Sequence, residues 1–184
     1  DAGMKAYYAL LSQAEGVDSI SQFNHPGTTF GNFSDFSYWD PVIDSRMYMV
    51  EVGNGEGQIG AGGYYPSYEQ YIMALDKGWH LAPTNNQDNH KGRWGNANDA
   101  RDVILTDNFT EKGIYEAIRA LRMYATEDKN LELGYTVNGQ MMGSSITEVP
   151  DKLNLEVTVN DPDKSDSISK VEVVVNSGKV VHTW

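Results

Sequence analysis

The sequence predicts an α/β unit over residues 1–128, followed by an all-β, Ig-like segment over residues 129–184 that is too short for a whole sandwich. Three observations carry this prediction. Short apolar runs alternate with segments of helical period through the first two thirds of the chain, the pattern of βα units around a mainly parallel sheet. Polar clusters at N24-H-P-G27, E51-V-G-N54 and D88-N-H90 each fall just after a predicted strand, the edge where parallel α/β architectures build their sites. From Leu131 the apolar period drops to two, with Asn138-Gly139 placed as a hairpin turn.

The elements follow in order. Met4, Tyr8, Leu11 and Ala14 share one helical face, and Gly16 ends that helix. Residues 19–23 form a short strand cut off by Pro26-Gly27, which places His25 at the strand mouth. An aromatic loop, F30-G-N-F-S-D-F-S-Y-W39, leads to a second strand over 46–52, closed by G53-N-G-E-G57. Residues 66–77 read as a helix with Tyr68, Tyr71, Ile72 and Leu75 on one face and Gly78 where a left-handed backbone ends it. A short strand over 79–82 precedes the polar stretch T84-N-N-Q-D-N-H-K-G-R-W-G95. A strand over 102–105 and a helix over 111–124 complete the first unit, with Ile114, Ile118, Leu121 and Ala125 on the inner face. About four strands precede residue 129, where a closed barrel takes roughly eight, so either the sheet is open or the chain holds only part of a barrel.

Composition narrows the function classes. A chain of 184 residues at 40% hydrophobic content can bury a core. Its net charge of -12 opposes general affinity for nucleic acid or anionic membrane. The absence of cysteine removes disulfides and thiolate zinc sites, leaving His, Asp, Glu, Asn or water as metal ligands. No run reaches the ~18 apolar residues that a membrane-spanning helix needs. The start, D1-A-G-M-K-A-Y7, carries no signal-peptide apolar region, and the expectation is a piece of a longer polypeptide with its targeting information upstream. An acidic, Cys-free, Tyr/Asn/Gly-rich composition suits an exported bacterial protein, extracellular or at the cell surface.

Several side chains are candidates for chemistry. Asp88 and His90, one residue apart, point the same way in an extended segment, and carboxylate with imidazole suits Zn, Mn or Fe(II). The same pair also fits a solvated loop. His25 at its strand mouth is either a further ligand or the cap of the Pro-Gly turn. Glu51 ends a strand on the same rim as a substrate contact or a solvated acid. Arg93, with Lys91, has the charge to hold a phosphate or carboxylate. His80, between Trp79 and Leu81, reads as a hydrogen-bonded core residue or a substrate contact. D161-P-D-K-S-D166 fits an acidic turn or a Ca²⁺ site with fewer ligands than an EF-hand loop.

The runs F23-N-H-P-G27, A74-L-D-K-G-W-H-L-A-P-T-N-N-Q-D-N-H90 and A117-I-R-A-L-R-M-Y-A-T126, in this order, resemble the later motifs of the PHP (polymerase and histidinol phosphatase) superfamily. They are most similar to its carbaryl hydrolase-like branch, and the resemblance covers about residues 1–147. It implies a distorted (β/α)7 barrel with two or three divalent ions (Mn, Zn or Fe) at the C-terminal ends of the strands. On that pattern His25, Asp88 and His90 are metal ligands and Asp88 and His90 are catalytic. The implied activity is phosphoester hydrolysis of a small molecule by a metal-bound hydroxide. The family's early His-x-His has no counterpart here, so the chain resembles the C-terminal half of such a barrel, completed by an upstream segment of the same protein. A rival expectation is a non-catalytic cell-surface or glycan-binding module, resting on Tyr38, Trp39, Tyr64, Tyr65 and the Ig-like segment.

Overall fold

The computed structural model describes residues 2–13, 18–148 and 150–184. Helix α1 (Ala2–Leu11) turns Leu11 into the core; Ala14 and Gly16, its expected end, lie outside the described residues. Strand β1 (Ser21–Phe23), helix α2 (Pro41–Asp44), strands β2 (Met47–Asn54) and β3 (Tyr65–Pro66), helix α3 (Tyr68–Asp76) and strand β4 (Ala82–Asn86) follow. Strand β5 (Arg101–Ile104), helix α4 (Glu111–Arg119) and strand β6 (Met123–Thr126) complete the first unit.

Local chemistry fixes the helix ends. Asp40 accepts hydrogen bonds from the Val42 and Ile43 N–H groups at 2.8 and 3.2 Å, with Pro41 at the first helical position. Thr110 accepts from the Gly113 N–H at 3.1 Å and starts α4. Gly78, at φ 97, ends α3 in the left-handed region where a side chain is disfavoured.

Strands β1, β2 and β4 run parallel with β2 in the middle, and both faces of β2 are covered. One face buries Met47 and Val50 among Phe23, Phe36, Ile43, Ala74, Trp79 and Leu81. The Phe23 ring meets Phe36 and Trp79 edge-on, at 5.1 Å in both pairs, and the Trp79 indole N–H donates to the Phe36 carbonyl at 2.9 Å. The other face packs Ala82, Ile118 and Met123, bringing α4 across the sheet.

The barrel expectation is overturned. The parallel ladder holds three strands and then stops: β3 pairs antiparallel with the end of β2, and β5 pairs antiparallel with β6. Beside β4, the Asn85 N–H is taken at 2.5 Å by the Asp102 carboxylate, a side chain where a continuing ladder would offer a carbonyl. Among the described residues the chain is a set of small sheets with four α-helices, not a (β/α)7 barrel.

Two element boundaries also differ. The helix expected over 111–124 ends at Arg119, because Leu121 adopts φ 54 and redirects Met123–Thr126 to pair with β5. Residues 79–81 are not a strand, and β4 begins at Ala82. The alternation is nevertheless present, with Trp79 and Leu81 buried and His80 turned outward.

In the second unit, β7 (Glu132–Val137), β8 (Gln140–Met141) and β9 (Leu155–Asn160) form an antiparallel sheet, and β10 (Glu172–Val175) pairs with β11 (Lys179–Thr183). Asn138 and Gly139, at φ 50 and 76, make the tight turn that the sequence places there. An Ig-like segment is replaced by two small sheets, since Met142 is the buried apolar side chain among the described residues of this unit and no core forms between layers. The turn between β10 and β11 rests on α3, where the Ser177 N–H donates to both Asp76 carboxylate oxygens at 2.9 and 3.0 Å.

Candidate functional site

The C-terminal ends of β1, β2 and β4 lie at one edge, and a buried carboxylate ties them together. Glu51 is 2% exposed. One of its oxygens accepts from the His25 backbone N–H and from the Asn54 amide at 3.0 Å; the other accepts from the Asn86 amide at 2.8 Å. Its carbonyl receives the Ser67 hydroxyl at 2.6 Å. Three donors on one acid offset the cost of burying it, and each bond carries the strength of a charged acceptor.

A second cluster adjoins the first. The Asn85 amide donates to the Tyr64 hydroxyl at 2.9 Å and to the Thr126 carbonyl at 3.2 Å, while the Tyr64 hydroxyl donates to Glu127 at 2.8 Å. Burial, then the Glu127 acceptor, pushes the Tyr64 phenol well above its ordinary range, so it stays a donor. Asp102 is an exposed residue as a whole, yet desolvation of its carboxyl raises its pKa against the lowering effect of the Asn85 N–H. Gly53 makes this approach possible: a Cβ there would overlap the Tyr64 hydroxyl and the Asn85 amide. A register shift in the β2–β4 pairing between Glu51 and Gly53 accompanies it.

His25 sits above this network in a left-handed conformation, φ 38, uncommon for a residue with a side chain. Its backbone is held by Glu51, and its ring Nδ1 is buried with no hydrogen-bond partner. The ring lines a cavity of about 580 Å³ that extends to Phe30, Tyr65 and Tyr68.

Asp88 and His90 occupy a different setting on the same edge. Their side chains are 45% and 76% exposed, and Asp88 is also left-handed, at φ 43. The His90 Nδ1 lies 2.6 Å from the Asp88 carbonyl and 3.8 Å from its carboxylate. The loop around them is anchored. Asn89 donates to Glu56 at 3.0 Å and accepts from the Lys91 and Arg93 N–H groups at 3.1 and 2.9 Å. Asn98 donates to the Gly55 and Gly57 carbonyls at 3.0 and 2.7 Å. The Lys91 ammonium, 3.0 Å away, holds the Glu56 carboxyl below its ordinary pKa through their hydrogen bond.

The remaining candidates are placed as follows. Arg93 turns its guanidinium toward the Glu56 carbonyl, 3.5 Å away. His80 is neither a core residue nor a rim residue: it pairs with Asp44 at 2.7 Å, before the starts of β2 and β4, with its side chain 61% exposed. The ligand atoms of His25, Asp88 and His90 do not converge. The one set of three His, Asp or Glu groups lying within 4.8 Å of one another among the described residues is Asp128, Asp161 and Asp166, a partly exposed acidic cluster of which Asp161 and Asp166 belong to the predicted acidic turn.

Sequence reasoning missed Asn54, Tyr64, Asn85, Asn86 and Glu127 as members of the network. A signal existed in P83-T-N-N86, where amides sit inside a strand, a position that asks for buried partners. Comparison of the chain with known protein families, curated proteins and solved structures finds no match. No described helix is long and apolar enough to cross a membrane.

Proposed function

We propose that this chain contributes part of the site of a metal-dependent hydrolase acting on small phosphoesters, of the kind the PHP resemblance implies. The observation that carries the reading is the state of the two imidazoles at the ends of the parallel strands. His25 keeps a buried ring nitrogen without a protein partner. His90 has its Nδ1 against a backbone carbonyl, an arrangement that leaves Nε2 as the ligating atom, as metal-bound histidines commonly have. Imidazole and the Asp88 carboxylate are ligand types suited to Mn, Zn or Fe(II), although the three side chains do not converge on one point here.

These residues fit a divalent ion chemically, and further ligands come from an upstream segment of the same protein. When bound, such an ion supplies Lewis acidity and a water acidified toward neutral pH. The chain's own residues do the rest. Glu51 fixes the backbone of His25, and Asn89 orders the 88–93 loop so that Asp88 and His90 stay on the rim. Arg93 adds positive charge beside them for a phosphate, Lys91 being paired with Glu56. Asp88, open to solvent, would offer its carboxylate oxygen as a ligand on the rim.

The test measures Mn²⁺ and Zn²⁺ binding by calorimetry and hydrolysis of bis-p-nitrophenyl phosphate by the full-length polypeptide. His25→Ala, Asp88→Ala and His90→Ala are each expected to weaken metal binding and lower turnover together. Unchanged stoichiometry and rate in all three would sink the proposal.

A further inference from the structure

We infer that the cavity beside His25 is a binding site for a neutral sugar ring, independent of any metal. Three separate elements build it. The 27–31 loop is closed by reciprocal hydrogen bonds between Gly27 and Gly31, 2.9 Å each, and displays Phe30, which is 54% exposed. Strand β3 brings Tyr65, held opposite Asn54 by its register. The first turn of α3 adds Tyr68, Glu69 and Gln70.

The chemistry of the walls selects the ligand. Phe30 and Tyr65 stand 5.7 Å apart at 80°, a corner rather than a flat platform. A pyranose chair has C–H bonds on its face and its edge and can meet both rings. Around the corner stand side chains that bond hydroxyls: Thr28, Thr29, Glu69 and Gln70. A purely aromatic ligand would strip water from these groups and return nothing. Among the described residues that line the cavity there is no Lys or Arg, and Glu69 is acidic, so a phosphate or carboxylate is disfavoured here. An apolar corner, side chains that bond hydroxyls and the absence of Lys and Arg among the described lining residues together fit an uncharged sugar. The aromatic side chains are partly exposed before any ligand arrives, with Tyr65 at 43% and Tyr68 at 50%, so the site requires no rearrangement.

The experiment titrates the full chain, in excess EDTA, with cellotetraose, maltotetraose and chitotetraose, read by saturation-transfer NMR and calorimetry. At least one is expected to bind saturably. Phe30→Ala and Tyr65→Ala each should weaken that binding about three- to tenfold, the size of a lost aromatic contact. Gln70→Ala should weaken it without loss of fold, a check that does not touch an aromatic ring. Tyr115→Ala, an exposed aromatic on α4 outside the cavity, should leave binding unchanged. No saturable binding to any of the three up to their solubility limits would overturn the inference. So would undiminished binding by folded Phe30→Ala and Tyr65→Ala proteins, or tighter binding of p-nitrophenol or glucose 6-phosphate than of glucose. Because EDTA is present throughout, failure of the hydrolase reading leaves this outcome untouched, and the reverse also holds.

Discussion

Two polar regions stand on the same edge of the parallel strands and are built in opposite ways. Around Glu51, a carboxylate 2% exposed collects donors from His25 just after β1 and from Asn54 and Asn86 at the ends of β2 and β4, and Asn54, Thr84 and Asn85 are buried with it. Around Asp88 and His90, the side chains are open to solvent and the ordering comes from the backbone and from Asn89. The difference separates two uses of the same residue types. Polar groups that bond one another in the interior tie the strand ends together, while those left accessible beside them keep facing solvent.

Removing Glu51 should produce the largest effect. Glu51→Ala leaves the His25 N–H and two amides without their acceptor, with an expected loss of about 3–5 kcal/mol in urea-induced unfolding. Glu51→Gln keeps the shape but turns a donor toward a donor, and should cost about 1–3 kcal/mol. A loss below ~1 kcal/mol for the alanine variant would erase the contrast between the two regions. Tyr64→Phe removes the hydroxyl shared by Asn85 and Glu127 and is expected to cost about 1–2 kcal/mol by the same measurement.

On the exposed side, Asp88→Ala and His90→Ala should shift unfolding by no more than about 0.5 kcal/mol while changing metal affinity. A large stability loss there would mean that the loop is a structural region like the first. The smallest expected effect is on pH dependence. Glu56 has its folded pKa lowered, first by the Lys91 hydrogen bond, so the anchoring it gives the 88–93 loop is present above its unfolded pKa and fades as pH falls through the folded one. Carboxyl ¹³C shifts of Glu56 and the Asn89 side-chain amide signals should move together in acid. Lys91→Ala should raise the pH at which they do so, and independent titration of the two signals would count against the anchoring role.

Much of the rim was legible because its signals are local. A strand followed by Asn-His-Pro-Gly ends where the proline and glycine end it, and His25 therefore sits at the mouth of β1. Glu51 was legible as a rim residue but not as a buried hub, since its partners His25 and Asn86 lie 26 and 35 residues away. The amides of Asn85 and Asn86 looked like the start of a polar loop, and only pairing with β2 shows them to be strand residues. Strand β6 was hidden by its surroundings: Ala117 to Arg122 favours helix, and the left-handed turn at Leu121 has no signature in a leucine. The barrel expectation failed for a related reason. Closure is a property of every strand edge at once, and here the parallel ladder ends at three strands while β5 and β6 pair antiparallel in a sheet of their own.

The sequence by itself determined what depends on neighbours a few residues apart. Gly78 ends a helix, Thr110 leads into another, and Asn138-Gly139 reverses a strand, because each acts on backbone groups within one turn. The tertiary structure decided which polar groups are hidden and which stay open. That choice rests on register, on the missing Cβ at Gly53 and on contacts between distant segments, where burial turns a carboxylate from a solvated charge into an acceptor that binds three strand ends together.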